Sequence, residues 1–325
     1  MARRSADLAG GRIAVLGALS SAGAHLRAAL ADLGIPGSRI ELFGCARDAA
    51  LLSEYDGEAR LIQPALELDA LAQAAVFVCE SGHDEAGLAR AAQAGTLVVD
   101  LSGSLAGAAL LDPDAVRSGA RLVAVPHPVS TLLAAILAPL DAALGVVAAS
   151  AFVLRSAGDF GKAGLEELRE QTIRLLRFES TPTEVFGRQL AFNVLPEHLL
   201  PGGEHDASRR IAGECRALLA APDLRLTVSI ALAPTFLGHA AALHVDGARG
   251  GTSEARAALA EVAGIEVAGD PDAGATLEAP EGDAILVARI DEPAPGTVRL
   301  WAVAGDAGAA SAHRAMEAAA AAGIV

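Results

Sequence analysis

A glycine-containing loop is the first feature of the sequence that could do chemistry. Gly17-Ala-Leu-Ser-Ser-Ala-Gly23 follows a short apolar run and opens a predicted helix. In that position, backbone N–H groups and the positive end of the helix can bind a pyrophosphate. Ser20 stands at an interior position that is usually glycine, but serine is small and can donate a hydrogen bond. A tight strand-to-helix turn without a ligand is an equally good interpretation. The candidate nucleotide-binding residues here are Gly17, Leu19, Ser20, Ser21, Ala22 and Gly23.

Arg47 is a candidate for the same ligand, because it follows the second predicted strand, where the 2′-phosphate of NADP lies in dinucleotide-binding folds. Asp48 beside it would repel that phosphate unless its carboxylate points away. The alternative is a solvated surface arginine, which needs no ligand.

The segment Val125-Pro-His-Pro-Val-Ser-Thr131 leads into an apolar helix. A helix N-terminus lowers the pKa of a thiol and therefore suits a cysteine nucleophile, but no cysteine is present here. Ser130 and Thr131 are expected to be N-cap and first-turn residues of the helix. Ser130 could act as a nucleophile only with a base from a distant segment, for which His239 is the arguable candidate.

His239 itself lies among apolar residues in Pro234–Ala240. Such a setting is more typical of a hydrogen-bonded core histidine than of a catalyst. The remaining histidines show no i, i+4 pairing or carboxylate spacing typical of metal ligands, so no metal site is predicted. They include His83, His127, His198, His205 and His244.

The three cysteines, Cys45, Cys79 and Cys215, are odd in number and widely spaced. This excludes a disulfide framework and a cysteine zinc site of ordinary spacing. Each is expected to be a small apolar core residue.

Composition limits the class of protein. The chain has 325 residues, 52% of them hydrophobic, and its 25 basic and 40 acidic residues give a net charge of −15. Two domains with substantial cores are expected, and intrinsic disorder is excluded. The negative charge disfavours nucleic acid or an anionic membrane as the principal partner. The first residues have no apolar core typical of a signal peptide. Pro139-Leu140-Asp141 is expected to break the apolar stretch Thr131–Leu154, which is therefore better interpreted as a buried helix followed by a buried strand than as a membrane span. We expect a cytoplasmic protein.

The elements that position these residues differ between the two halves of the chain. Apolar strands alternating with helices predict a parallel, doubly wound sheet for the first half. The predicted strands are Arg12–Leu16, Arg39–Phe43, Ala75–Cys79, Leu97–Asp100 and Arg121–Val125.

Longer strands with fewer helices predict an α+β domain with a mostly antiparallel sheet for the second half. Its predicted strands are Val147–Leu154, Leu224–Leu232, Phe236–Val245, Ala284–Asp291 and Thr297–Ala304, with helices at Gly164–Phe178 and Ser208–Leu219. A final alanine-rich helix, Gly308–Ala321, is expected to pack on the first domain.

The order of several short motifs resembles that of the aspartate-semialdehyde dehydrogenase family along nearly the whole chain. The Gly17–Gly23 loop is similar to the family's GATGxVG pattern, and the stretch that ends in Val98-Val-Asp-Leu-Ser102 is similar to VIDNS. Further matches follow in order at 161–172, 192–196, 221–224, 234–239 and 300–303. The resemblance implies a Rossmann-like dinucleotide-binding domain, 1–127 plus the C-terminal helix 306–325, and an α+β dimerisation domain, 128–305. It also implies a homodimer formed through the second domain's sheet.

Family members reduce aspartyl phosphate to the semialdehyde, a step of amino-acid biosynthesis, or catalyse the reverse. The resemblance implies a cysteine nucleophile within NPNCST, a histidine acid/base, a substrate-binding glutamine and arginines, and NADPH as hydride donor. In this chain the cysteine position is Val129 and the preceding asparagine is Pro128. Isopropyl cannot attack a carbonyl, so no thioester can form there. The histidine is retained as His239.

The substrate-binding positions have also changed. The glutamine of the family's QxxSGAG stretch aligns with Arg155, and the two arginine positions align with Leu232 and Ala106. A family lysine is matched approximately by Arg210. This pattern resembles the Usg-type homologues, which keep the fold without the catalytic cysteine.

The C-terminal DNLRKGAA segment of the family, which lies against the nicotinamide, here reads Gly305-Asp-Ala-Gly-Ala-Ala-Ser-Ala312 and has lost both basic residues. Gly158 and Asp306 are the remaining candidate cofactor-binding positions, for NADP or NAD. We therefore predict a pseudoenzyme that acts as a binding or regulatory protein for a small-molecule or nucleotide ligand. The alternatives are an NAD(P)-dependent oxidoreductase with altered chemistry that uses His239 and Arg155 in a substrate-sized pocket, and a purely structural partner of an active paralogue.

Overall fold

The structure is a computed structural model that describes residues 11–44, 51–200, 206–270, 273–280, 282 and 284–325. The chain divides into two compact units. Unit 1 comprises Met1–Pro126 and Gly308–Val325, and unit 2 comprises His127–Ala307. Among the described residues, each unit has a seven-stranded sheet of its own.

The sheet of unit 1 is parallel in all of its described strand pairs. Its strands are β1 Arg12–Leu16, β2 Ile40–Gly44, β5 Gln63–Pro64, β6 Gln73–Val78, β7 Leu97–Asp100, β8 Ala109–Leu110 and β9 Leu122–Ala124, in the order β5-β2-β1-β6-β7-β9-β8. A hairpin of β3 Leu52–Tyr55 and β4 Glu58–Leu61 stands apart from it. Because β1 lies between β2 and β6, the loop after β1 is at the point where the strand order reverses, the usual place for a ligand in such sheets.

Both faces of this sheet are covered, which explains why its strands are apolar without alternation. The helices of unit 1 are α1 Ser21–Asp32, α2 Glu85–Gln93, the short α3 Pro113–Arg117 and α8 Ala307–Ala321, which begins one residue before the unit does. Ile13 packs in one cluster with Leu26 of α1 and Ala315 of α8. Leu16 packs in the other cluster with Leu88 of α2. The C-terminal helix therefore contributes to the core of unit 1.

Unit 2 contains a mixed sheet in which four of six strand pairs are antiparallel. Its strands are β10 Val146–Arg155, β11 Leu195–Pro196, β12 Arg225–Leu232, β13 His239–Gly247, β14 Ile265–Val267, β15 Ile285–Ala294 and β16 Thr297–Ala304, in the order β11-β12-β10-β13-β16-β15-β14. Its helices are α4 Pro128–Leu144, α5 Gly161–Leu176, α6 Ala207–Leu218 and α7 Thr252–Ala260. The predicted fold class, a Rossmann-like domain plus an α+β domain with a mostly antiparallel sheet, is confirmed.

One face of the unit 2 sheet is packed under helices. The other face, called the open face below, is only partly covered within the single chain: Ala240, Leu286 and Val303 are buried there in a small cluster, and exposed residues lie beside them. Val153 of β10 belongs to the main core cluster, together with residues of α4, α6 and α7. The neighbouring Phe152 points to the opposite face and is 45% exposed. It lies in register with Ser229 and Ala242, and Ala242 is in register with Trp301, so these four residues form a row across the open face.

Two local predictions for this region were wrong. The apolar run was expected to break at Pro139-Leu140-Asp141, but α4 continues through Pro139 to Leu144. Leu132, Ile136 and Leu140 all lie on its buried side, so tertiary packing outweighs the hydrogen bond that proline cannot donate. The helix also starts earlier than Ser130, with His127 as its N-cap and Pro128 as its first residue. Proline is well suited to that first position because the N–H it lacks would be unbonded there.

Candidate functional site

The loop after β1 is held mainly by its own hydrogen bonds. Gly17 has a φ of +74°, a conformation that favours glycine, and its N–H donates to the carbonyl of Phe43. Ser20 is the N-cap of α1: its hydroxyl oxygen accepts from the Gly23 N–H at 3.0 Å and donates to the Gly17 carbonyl at 2.8 Å. One of the N–H groups that could have bound a phosphate is therefore already satisfied by Ser20.

The side chain of Glu80 packs directly against this loop. A Cβ atom added to Gly17 would lie 2.6 Å from Cγ of Glu80, so only glycine at this position admits the glutamate. Glu80 follows β6, the strand beside β1, and its side chain is three-quarters buried. A carboxylate in this place repels a pyrophosphate. The loop has the backbone shape for a dinucleotide but an electrostatic environment that opposes one.

In unit 2, the start of α4 forms a compact polar cluster. The His127 ring caps the helix, with Nδ1 accepting from the Val129 N–H at 3.1 Å. Ser130 is fully buried and its hydroxyl donates to Oε2 of Glu214 at 2.7 Å, and the same oxygen accepts from the His127 N–H. Among the described residues, the hydroxyl of Ser130 donates to the Glu214 carboxylate and not to His239, the base that the sequence suggested. Val129 is 1% exposed and belongs to the main core cluster of unit 2.

Arg155, Asp159 and His239 form a buried chain of charged groups. Oδ2 of Asp159 accepts from Nε of Arg155 at 2.5 Å and lies 3.0 Å from Nε2 of His239. The other ring nitrogen of His239, Nδ1, lies 3.4 Å from the carbonyl oxygen of Gly305. All three side chains are at least 95% buried. Both nitrogens of His239 therefore face acceptor atoms of the protein itself.

These contacts determine the charge states. Burial raises the pKa of Asp159, but the nearby charges of His239 and Arg155 and their hydrogen bonds outweigh burial and hold that pKa below its usual value. Burial lowers the pKa of His239, but the charge and hydrogen bond of Asp159 outweigh it and raise that pKa. Burial, reinforced by the charges of Arg155 and Arg210, keeps the pKa of His127 well below its usual value. The site thus favours a His239 imidazolium, an Asp159 carboxylate and a neutral His127.

The structure brings several of the expected unit 2 positions together. Arg155 ends β10 and lies in register with Leu232 at the end of β12, where Leu232 is fully buried in an apolar cluster. Gly158 is packed so closely that an added Cβ would lie 2.8 Å from Leu237. Nε of Arg210 lies 3.8 Å from Glu214. Asp306 directly follows Gly305, whose carbonyl faces His239.

The remaining expected residues lie elsewhere. Ala106 is exposed in unit 1. Cys79 and Cys215 are free and buried in apolar clusters, and burial raises the pKa of the Cys215 thiol to about 11. Cys45, Arg47, Asp48 and His205 lie outside the described residues. In the part of the chain that the structure describes, no three His, Cys, Asp or Glu side chains form a group that could hold a metal ion.

Three polar residues that shape these sites were missed by the sequence reasoning. Asp159 had one available signal, its i, i+4 spacing from Arg155 at the end of a strand. His127 could have been recognised from the Pro128 that follows it, because proline marks the first residue of a helix. For Glu80 no local signal existed, because its contact with Gly17 depends on the pairing of β1 with β6.

Unit 1 has the parallel, doubly wound sheet of a Rossmann-like domain, and unit 2 is an α+β domain with a mixed sheet. The chain belongs to the semialdehyde dehydrogenase family: the family model described as "Semialdehyde dehydrogenase, dimerisation domain" matches residues 137–306. The resemblance stated from the sequence is thereby confirmed. No helix among the described residues is long and apolar enough to cross a membrane.

Individual relatives agree with this assignment. A USG-1 protein homolog of Azotobacter vinelandii is 30% identical over 280 residues, covering 80% of this chain and 81% of that protein. An aspartate-semialdehyde dehydrogenase of Synechocystis sp. is 24% identical over 307 residues, covering 89% and 90%. The crystal structure of aspartate semialdehyde dehydrogenase II complexed with ASA from Vibrio cholerae has a TM-score of 0.82 at 23% identity, covering 96% and 97%. The enzyme with NADP from Candida albicans has a TM-score of 0.68 at 16% identity, covering 97% and 99%. At these identities the two structures show the shared fold.

Proposed function

We propose that this chain is a catalytically degenerate member of its family, a pseudoenzyme that acts as a binding or regulatory protein. The observation that carries the proposal is the pair of contacts made by His239. Its two ring nitrogens face the Asp159 carboxylate and the Gly305 carbonyl. A general base needs an unprotonated nitrogen within reach of the reacting group. Because both ring nitrogens of His239 face acceptor atoms of the protein, neither is directed at an external reactant.

The residue at the nucleophile position supports the same conclusion. Val129 has no atom that can form a thioester, and its side chain is packed in the core rather than facing solvent. Loss of a nucleophile removes on the order of 5–8 kcal/mol of transition-state stabilisation. Replacement of the two arginines by Leu232 and Ala106 removes charge-assisted contacts to the substrate as well.

The alternative of altered chemistry required Arg155 and His239 to line a substrate-sized pocket. Both side chains instead contact Asp159 and are at least 95% buried, so we do not favour that alternative. A structural partner of an active paralogue remains compatible with the fold, and co-purification from the source cell is the measurement that separates it from a ligand-binding protein.

For the cofactor, we propose weak binding of NADP or NAD at the loop after β1. The loop opens the N-terminus of α1, whose backbone N–H groups and positive dipole end support a phosphate contact. Glu80 and the capping role of Ser20 oppose it. Binding is therefore expected to be weaker than a loop of this shape would otherwise give. Arg47, Gly158 and Asp306 remain predicted cofactor contacts.

We further propose a homodimer formed through the open face of the unit 2 sheet. The family model that matches residues 137–306 is that of a dimerisation domain. The exposed Phe152 side chain on that face supports the proposal. The cytoplasmic location expected from the sequence stays a prediction.

The test of degeneracy is direct. The purified chain is incubated with aspartate semialdehyde, NADP and phosphate, and NADPH formation is followed by absorbance, with an active relative as the positive control. We expect no turnover above the background of the His239→Ala variant. Turnover by the wild type that His239→Ala abolishes would show that the chain is an active dehydrogenase.

A further inference from the structure

The carboxylate of Asp159 occupies an unusual place, between two cationic groups that it contacts through one oxygen. Oδ2 lies 2.5 Å from Nε of Arg155 and 3.0 Å from Nε2 of His239, and the Asp159 side chain is 4% exposed. A small carboxylic acid bound in this pocket would make the same two contacts. The pocket therefore has the chemistry of a carboxylate site that is already filled.

The backbone around Asp159 is fixed independently of that carboxylate. Asp159 lies on the short 3₁₀ turn Ala157–Phe160 that follows β10. The N–H groups of Ala157 and Gly158 donate to the carbonyls of Thr235 and Phe236, both at 2.9 Å. Removing the side chain of Asp159 leaves these bonds in place, so the two cations would remain positioned around an empty volume.

The differences between this chain and the family's motifs also indicate that Asp159 fills a carboxylate site. In the alignment that places the family's QxxSGAG stretch on Arg155–Gly161, Arg155 replaces the glutamine and Asp159 replaces a glycine. The two positions that resemble substrate-binding arginines are Leu232 and Ala106. The chain has thus lost cations that could hold an external anion and has gained an internal cation and anion that contact each other.

We propose that Asp159 is an intramolecular ligand that fills a small-carboxylate site formed by Arg155 and His239. Asp159 keeps His239 protonated and prevents free carboxylates from reaching either cation. Arg155 is consequently the binding partner of Asp159, not a contact for an external substrate. This inference rests on the proposed function, since it concerns the same pocket, but its test measures binding and stability rather than turnover.

The experiment is a chemical rescue. Asp159→Gly deletes the carboxylate and leaves a buried arginine without this partner, which is strongly destabilising. We expect sodium formate or acetate to raise the thermal midpoint of Asp159→Gly by several degrees with saturable dependence, because a ligand that binds only the folded state stabilises it. Sodium chloride at the same ionic strength is the salt control. Wild type should show no formate effect beyond the chloride control, because its site is filled.

The matched control is Arg155→Gln/Asp159→Gly, which removes both members of the ion pair. We expect this double variant to fold and to show no formate effect. The proposal is overturned by an equal formate effect on all three proteins, by no formate effect on Asp159→Gly, or by an Asp159→Gly chain that stays unfolded in formate. It is also overturned if the double variant fails to fold, because the role of Asp159 would then not be charge pairing. If the wild type turned over aspartate semialdehyde, the proposed function would be wrong. The formate experiment would still test, separately, whether Asp159 fills a carboxylate site.

Discussion

In the degenerate site that we propose, Val129 and the contacts of His239 are two separate obstacles to the family's chemistry, and a thiol introduced at position 129 removes only one of them. Val129 is almost fully buried and donates its N–H to His127, whereas His239 is held by Asp159. We therefore expect Val129→Cys alone to give no semialdehyde-dependent NADPH formation. The triple variant Val129→Cys/Arg155→Gln/Asp159→Gly should exceed Val129→Cys in rate, because His239 is then released. Activity in the single variant equal to that of the triple would mean that Asp159 does not restrain the histidine.

The Asp159–His239 pair also predicts a dependence of stability on pH. The pKa of Asp159 is lowered in the folded state, so its contribution to stability is present above the unfolded value of about 3.9 and is lost as pH falls through the folded value. The pKa of His239 is raised, so its contribution is present below the unfolded value of about 6.5 and is lost as pH rises through the folded value. The pair therefore stabilises most between about pH 4 and pH 6.5.

Urea unfolding at pH 5.5 and pH 8.5 tests this expectation. The lowered pKa of His127 acts in the opposite direction, because its contribution to stability is lost as pH falls, so the wild type is compared with His239→Gln. On going from pH 8.5 to pH 5.5, the free energy of unfolding of the wild type should change more favourably than that of His239→Gln. The NMR titration of the His239 ring should show a lower pKa in Asp159→Asn than in wild type. An unchanged histidine pKa in Asp159→Asn would contradict the role given to the carboxylate.

At the scale of elements, the strand–loop–helix unit of β1 and α1 has the shape of a nucleotide site, while Glu80 from the neighbouring strand end sets its charge. We expect Glu80→Gln to strengthen NADP binding by roughly five- to thirtyfold, which corresponds to about 1–2 kcal/mol of removed repulsion. Isothermal titration calorimetry is the measurement. Glu85→Gln, an exposed acid in the first turn of α2, is the matched control and should leave affinity nearly unchanged. Equal affinity of wild type and Glu80→Gln would mean that the loop does not contact the phosphates.

Elements could be predicted from the sequence where one local signal dominated. Arg12–Leu16, Leu97–Asp100 and Thr297–Ala304 are strands with the expected bounds, because apolar runs flanked by glycine or polar residues determine them locally. The β3–β4 hairpin was not predicted, since three of the four residues in β3 and all of β4 are partly or fully exposed and carry no apolar run. Asp159 and His239 are 80 residues apart, so their contact arises only when β10 and β13 pair.

At the scale of the whole molecule, the open face of the unit 2 sheet is the strongest reason to expect a second copy. Phe152 is 45% exposed at the centre of a row that includes Ala242 and Trp301, and burying apolar area contributes about 25 cal/mol per Å². We expect wild type to have twice the 32.7 kDa mass of one chain in light scattering coupled to size exclusion. Phe152→Glu should give the single-chain mass with unchanged circular dichroism, because the side chain points away from the core. Leu66→Glu, at a 98% exposed site in unit 1, is the matched control and should remain dimeric. A dimer that survives Phe152→Glu would place the contact on another surface of the chain.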